Sequence, residues 1–323
     1  MTTTVLVTGA CGNIGQYVLN TLAKGDYSVK VLDLGTPSNK TVAQSYPDVE
    51  FFWSDINDTE GVKKALQGVE TVIHLIGIIP PLSESHPELA RKVNVNGTNV
   101  LVDAMEASST AKRLIFTSSF AVLGIGNGTS RIHTADMPYK ESDVYSETKI
   151  ACEKSIQNSG LKWTILRLAA IPNVDPSAHN IKDMVLSLKI GPNDYIEFCH
   201  ARDVAKAIAS AASLDEELVK EKIFMIGGGD GCRFNGYEFT SKLFITAGVG
   251  AISQRFYSSS PSFYAGWVDS ESSNAILNYQ STSFDEFLTE FRQGLGTPKY
   301  LGAKLVGPII RLILMFMAKR ING

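Results

Sequence analysis

The chain has little of what marks a metalloprotein, a disulfide scaffold or a nucleic-acid binder. Its 323 residues include four cysteines, Cys11, Cys152, Cys199 and Cys232. Their spacing matches no zinc pattern, and their scatter suits reduced thiols in a cytoplasmic protein. The five histidines, His74, His86, His133, His179 and His200, form no pair at ligand spacing, so no metal is expected. Net charge is only −3, with Lys and Arg scattered, so nothing suggests a surface for nucleic acid. Strand-type sequence begins by about residue 4, so no signal peptide is expected. The remaining composition, 44 % hydrophobic and 20 % charged, is that of a soluble globular chain able to bury a sizeable core.

What is present starts with Val5-Leu6-Val7-Thr8-Gly9-Ala10-Cys11-Gly12-Asn13-Ile14-Gly15. An apolar run meets three glycines spaced by threes, and an amphipathic segment with Ile14, Val18, Leu19 and Leu22 on one face follows. This reads as strand, tight turn and helix. A side chain at Gly9 or Gly12 would block close approach of the backbone to a pyrophosphate, and Gly15 would let the helix lie near the strand. The helix N-terminus offers free N–H groups to the anion. A second strand, Ser28–Leu32, ends in Asp33, eighteen residues after Gly15. A carboxylate there can accept hydrogen bonds from an adenosine ribose and would repel a 2′-phosphate, so NAD is favoured over NADP.

Strand and helix then alternate. Strands are expected at Val49–Trp53, Thr71–Ile76, Arg113–Thr117 and Lys162–Leu168, with helices at Thr59–Gln67, Glu88–Ser108 and Asp143–Asn158. The pattern predicts an α/β protein built on a doubly wound parallel sheet. Phe120–Ser142, with Gly124, Gly126 and Gly128, reads as a long loop of the functional kind. After about residue 170 the alternation fades into a smaller α/β lobe. It is expected to hold helices at Ile181–Lys189, Asp203–Ser213, Tyr237–Ala247 and Phe284–Phe291, and a strand at Lys222–Ile226. The apolar stretch Val306–Met317 carries Arg311 and Pro308. At about a dozen residues it is too short to span a bilayer. It is expected to pack on the body or a dimer partner, with an interfacial contact flanked by Lys304, Lys319 and Arg320 as the other reading.

Two further groups carry chemistry. Tyr145 and Lys149 stand four residues apart, on one face of a helix. The ammonium is expected to lower the phenol pKa from about 10, so that Tyr145 can exchange a proton with a substrate hydroxyl. Thr117-Ser118-Ser119 closes the fifth strand, where ligands of open α/β sheets bind.

These segments resemble the extended short-chain dehydrogenase/reductases of the NAD-dependent epimerase/dehydratase family. The resemblance rests on residues 8–15, Asp33, Asp55-Ile56, Val72 to Gly77, Asn94 to Thr98, Phe116 to Ser119 and Tyr145 to Lys149, and covers about the first 170 residues. It implies a Rossmann-type NAD-binding domain over residues 1–170, with core elements returning near 195–226. A substrate lobe over 171–300 and an apolar terminal helix over 301–323 would follow. It implies that Ser119, Tyr145 and Lys149 are catalytic. The cofactor would be held by Gly9, Cys11, Gly12, Asn13, Ile14, Gly15, Asp33, Asp55, Ile56, Leu75, Ile76, Gly77, Asn94 and Thr117, with Tyr145 and Lys149. Asp55 and Ile56 would flank the adenine, Leu75 to Gly77 would line the ribose and phosphates on the nicotinamide side, and Asn94 would support the pocket. By the same resemblance, the helices of residues 88–108 and 143–158 would form a homodimer.

Departures bear on the substrate. Phe120-Ala121 stands where sugar-nucleotide dehydratases carry Asp-Glu, and Ala169-Ala170-Ile171 stands where epimerases usually show an Asn. Both suit a less polar substrate. The expectation is an NAD-dependent oxidoreductase or epimerase acting on a secondary alcohol, a nucleotide-sugar first. A hydroxysteroid- or flavanol-type dehydrogenase is the alternative, and a non-catalytic dinucleotide sensor the second.

Overall fold

Val5, Leu6 and Val7 are all fully buried. Such a strand belongs in the middle of a sheet covered on both faces. In the computed structural model, which describes residues 2–125, 132–259 and 264–322, that strand is β1 (Thr3–Thr8), followed by α1 (Asn13–Leu22) and β2 (Tyr27–Asp33). Next come α2 (Pro37–Ala43), β3 (Glu50–Trp53), α3 (Thr59–Ala65), β4 (Thr71–His74), and the short α4 (Leu82–Ser85) and α5 (Pro87–Ala90). They lead into α6 (Gly97–Ala107), β5 (Arg113–Ser119), β6 (Ile132–His133), α7 (Val144–Gln157) and β7 (Lys162–Leu168). The second half holds α8 (Ile181–Ser187), β8 (Tyr195–Glu197), α9 (Ala201–Ser213), α10 (Glu216–Val219), β9 (Lys222–Ile226) and β10 (Arg233–Asn235). It ends with α11 (Gly236–Thr246), β11 (Trp267–Val268), α12 (Ser270–Leu277) and α13 (Phe284–Asn322).

Seven strands form one parallel sheet in the order β3-β2-β1-β4-β5-β7-β9. The order reverses between β1 and β4, and that switch point opens a crevice at the carboxyl ends of the strands. α1 and α9 cover one face through Val18, Leu19, Ala207, Ile208 and Ala211. α3, α6 and α7 cover the other through Val62, Leu101, Met105, Cys152 and Ile156.

The helix expected over Glu88–Ser108 is present, but it widens into a π turn at Arg91–Asn96 between α5 and α6. The π turn carries Asn94, whose side chain bonds the 78 peptide, and such bulges often sit at functional sites. The expected loop Phe120–Ser142 begins as a 3-10 turn, Phe120–Leu123. Its β6 pairs in parallel with β11, far along the chain. Gly124 takes φ +81°, and a Cβ there would come within 2.8 Å of Lys140 O. Gly126 and Gly128 lie outside the described residues.

Beyond β9 an aromatic cluster of Phe234, Phe239, Phe284, Phe287 and Phe291 packs with Phe198 and Ile196. α13 joins the expected helix Phe284–Phe291 to the expected terminal helix of 301–323. It bends at Gly296, where φ is +67°, and resumes helically to Asn322. Pro298 falls in the first turn after the bend, where a missing N–H is harmless. The part after the bend agrees with the apolar terminal helix expected over 301–323, and extends beyond the apolar stretch Val306–Met317. By length and composition α13 is long and apolar enough to cross a membrane, and only 17 % of its most apolar window is buried.

Candidate active site

The glycine turn is built by exclusion. Gly9 has φ +76°, and a Cβ on it would meet the Ile76 backbone at 3.1 Å. A Cβ on Gly15 would sit 2.2 Å from Gly9 O, so only glycine lets α1 start this close to β1. Gly12 has ordinary clearance, with 3.4 Å to Gly9 O. α1 begins without a side-chain cap, and Gly12, Asn13, Ile14 and Gly15 line a cavity of about 390 Å³. Uncapped first-turn amides facing a cavity are an anion site.

Asp33 is almost buried. Its carboxylate accepts from the amides of Cys11 (2.9 Å) and Leu34 (2.8 Å) and from Asn39 Nδ2 (3.1 Å). Burial and the neighbouring Asp33 push the Cys11 thiol up to about 12, so Cys11 contributes its N–H rather than a reactive sulfur. Ile56 is buried against Gly97, where a Cβ would approach it to 2.5 Å. Asp55 is exposed, and its carboxyl is held below its ordinary range by hydrogen bonds from Asn57. Cys11, Asp33, Asp55, Ile56, Ile76, Asn94 and Lys149 stand outside the cavity lining, whereas Leu75, Gly77, Thr117, Ser119 and Tyr145 belong to it.

The chemical end lies between β5 and α7. Asp143 caps α7 and forms a reciprocal capping box with Ser146, which fixes the turn that presents Tyr145. The Tyr145 phenol hydrogen-bonds Ser119. Lys149 is buried, donates to Thr117 O at 2.8 Å and lies 4.6 Å from the Phe116 ring centre. Its ammonium is 3.4 Å from the place a Gly77 Cβ would occupy. Asn94 accepts from Ile78 N (2.6 Å) and donates to Ile78 O and to Thr148 Oγ1 (both 3.0 Å). It thereby ties the β4 loop to α7.

The phenol pKa is not lowered, contrary to expectation. The Tyr145 ring keeps an edge toward the cavity, yet the surrounding protein mass pushes it up to about 12. The Ser119 hydrogen bond opposes this rise, and the Asp143 carboxylate adds to it. The Lys149 ammonium is occupied at Thr117 O, and burial lowers its own pKa.

Several residues of the site carried no sequence signal. Glu84 Oε1 accepts the Tyr145 N–H at 3.1 Å, and Glu84 Oε2 accepts that of Val144 at 3.3 Å, clasping the Ile78–Ser85 stretch onto α7. Tyr264 donates to Asp143, and its ring centre lies 6.3 Å from that of Tyr145. Its partner Asp143 and its aromatic neighbours are brought in from far along the chain. Besides the glycine turn, the cavity is lined by the apolar residues Ile79, Pro80, Phe120, Leu168, Ala169, Ala170, Ile171, Leu186 and Ile196, and by Tyr264. Among the described residues, no charged side chain lines this cavity.

Residues 5–227 match the model of the NAD dependent epimerase/dehydratase family. The chain belongs to this family. NAD is accordingly its cofactor, and the residues fit it, since the Gly9–Gly15 turn is shaped for backbone approach and α1 starts uncapped beside it. Family relatives include a sterol-4-alpha-carboxylate 3-dehydrogenase, decarboxylating, of Bos taurus. It is 34 % identical over 156 residues, 46 % of this chain and 40 % of that protein. The Dictyostelium discoideum protein of the same name is 27 % identical over 256 residues, 74 % of this chain and 75 % of that one. The chain spans about half the length, or less, of several curated relatives it matches. Among solved structures, a dTDP-glucose 4,6-dehydratase from Streptomyces venezuelae superimposes with a TM-score of 0.75. It shares 22 % identity and covers 90 % of this chain and 96 % of that one. That likeness is one of fold.

Proposed function

We propose that this family member is an NAD-dependent dehydrogenase of an apolar, ring-bearing secondary alcohol of sterol type. The observation that carries the reading is the substrate wall, apolar from Ile79 to Tyr264 and without a charged side chain among the described residues. A nucleotide-sugar brings a diphosphate, and burying it against such a wall would leave its charges unpaired. The sterol-type relatives support the same choice, so the alternative substrate class is preferred here to a nucleotide-sugar.

In this reading Gly9 to Gly15 hold the pyrophosphate, Asp33 holds the adenosine ribose, and Asp55 and Ile56 flank the adenine. Leu75 to Gly77 hold the second ribose with Lys149, and Asn94 braces the pocket. NAD, when bound, supplies the hydride acceptor at its nicotinamide ring. Ser119 orients the substrate oxygen, and Tyr145 takes or returns the hydroxyl proton. A phenol near 12 is protonated at neutral pH, ready to donate to a ketone. Oxidation of the alcohol needs the phenolate, so its rate should climb with pH while ketone reduction stays flat through neutrality. Residues 171–300 are taken as the lobe that closes over the substrate. A homodimer through α6 and α7, which the Ser155–Asn99 hydrogen bond at 2.7 Å holds side by side, completes the proposal.

The test is NADH formation from a panel of apolar secondary alcohols and UDP-sugars, with the pH profile in both directions. Turnover of the alcohols is expected, together with a fall of about 10²–10⁴-fold in Tyr145→Phe at unchanged NAD affinity. Epimerisation of a UDP-sugar with no alcohol oxidised would overturn the substrate class. An unaltered output from Tyr145→Phe would point to a dinucleotide sensor.

A further inference from the structure

The last helix carries a surface that the fold leaves unused. After the bend at Gly296, α13 touches the body along one stripe. Gly307, Leu314 and Ala318 are buried, and the last two pack with Val185, Leu188, Phe244 and Ile252. Gly307 passes so near α11's end that a Cβ would sit 2.5 Å from Gly248 O. Arg311 turns inward as well, with its guanidinium beside Gly250.

The opposite stripe is Leu301, Leu305, Ile309, Leu312 and Phe316, between 58 % and 82 % exposed. Val306 and Ile313 widen it. The spacing places these side chains on one helical face, about 22 Å long at 1.5 Å per residue. Exposed apolar area of this extent on a soluble surface marks an interaction site. The charge pattern says what covers it. From Thr297 onward the chain has five cations, Lys299, Lys304, Arg311, Lys319 and Arg320, and no Asp or Glu, although its net charge is −3. Lys304 lies 5.3 Å from the Tyr300 ring centre and Arg320 lies 4.4 Å from that of Phe316, so cations border the stripe near both ends. Long basic side chains in that position keep their heads in the headgroup layer while apolar neighbours go deeper.

We propose that α13 seats the protein on the surface of a bilayer containing anionic lipid, lying in the interface with the Leu301–Phe316 stripe inserted. A spanning orientation is disfavoured, since it would strip Leu314 and Ala318 from the core and carry Arg311 into hydrocarbon. A second copy of the helix is a poor occupant, because like would face like with no acid on either side. The seat also touches the catalytic cleft. Leu186 of α8 lines the cavity, while its neighbours Val185 and Leu188 pack under α13. One helix thus separates the inserted stripe from the substrate wall. Delivery of substrate from the lipid phase by that route rests on the proposed substrate class, whereas membrane seating does not.

The test is flotation of the full chain with phosphatidylcholine vesicles, with and without phosphatidylglycerol, in the absence of substrate. Binding to the anionic vesicles is expected, weakened by salt. It should fall at least about tenfold in the triple variant Leu305→Asp, Ile309→Asp and Leu312→Asp, with NAD binding retained. Reversing Lys304 and Lys319 to Glu should abolish the preference for anionic lipid. Should the triple variant fail to bind NAD, a fluorophore on Leu305→Cys provides the second measurement and should shift to the blue when vesicles are added. The proposal is overturned if the wild-type chain stays with the protein fraction at the bottom of the gradient. Equal flotation of the triple variant overturns it too, as does a dimer that this variant breaks while no form binds lipid. Loss of alcohol oxidation with vesicle binding intact would strike the substrate reading alone.

Discussion

Asp33 and His74 show how much a single side chain can be asked to do beside the cofactor crevice. The Asp33 carboxylate is already aligned by three donors, so in its proposed role it would meet a ribose as a fixed acceptor. Asp33→Ala should weaken NAD binding by about tenfold or more, on the scale of a lost charge-assisted hydrogen bond, and should improve NADP relative to NAD. Titrations with both dinucleotides measure this. His74 is fully buried, with Thr8 Oγ1 at 2.7 Å and Thr98 Oγ1 at 3.0 Å from its ring nitrogens. Burial, helped by the Lys149 charge, pushes its pKa from 6.5 down to about 3. The fold therefore favours the neutral ring. Its contribution to stability is intact above 6.5 and drains away as pH falls toward 3, at up to about 1.4 kcal/mol per pH unit. Urea unfolding at stepped pH should show that slope flattened in His74→Asn. At this scale the close packing at Gly9 and Gly15, and the meeting of the β5 end with Tyr145 and Lys149 of α7, were legible in the chain, because each answers a local demand. The direction of the Tyr145 pKa was not, because it depends on the mass and charges that the fold packs around the ring.

Among the elements, the joint between β5, β7 and α7 is the one most exposed to damage. Arg167 of β7 and Glu153 of α7 form a buried pair at 2.8 Å. Ser118 and Tyr139 also donate to Glu153, and Arg167 donates to Ala135 O. Arg167→Met alone should cost about 3–5 kcal/mol by leaving a carboxylate unpaired in the core, and adding Glu153→Leu should restore part of that. Chemical denaturation of the three variants is the check. The alternation of strands and helices up to Leu168 could be read from hydrophobic period. The π turn at Arg91–Asn96 could not, since it is set by Asn94 reaching across to the 78 peptide. The pairing of β6 with β11 was equally hidden, because two-residue strands far apart in the chain leave no periodic trace. Helices on both sides of residue 296 could be read from composition, but their junction could not, since Gly296 at φ +67° makes a bend between them.

For the molecule as a whole, ligand and stability are linked. NAD at about 100 times its Kd should add roughly 2.7 kcal/mol to unfolding, read as a rise in Tm. Gly15→Val should abolish that rise, since even a Cβ overlaps Gly9 O. The first half of the chain announced its architecture through a local physical need, glycines where a strand, a turn and a helix start come close together. The second half carries no such need, and its layout follows from packing against the sheet.

That division has an outcome of its own. In the proposed function the dinucleotide cradle would be complete by Lys149, and most of the apolar lining of the cavity comes from Leu168 onward, by way of Ala169, Ala170, Ile171, Leu186, Ile196 and Tyr264. On that reading, redox hardware and appetite would be written in separate stretches of one polypeptide. Grafting the later stretch from a cousin with other tastes should retarget the catalyst while its grip on the coenzyme stays as it was.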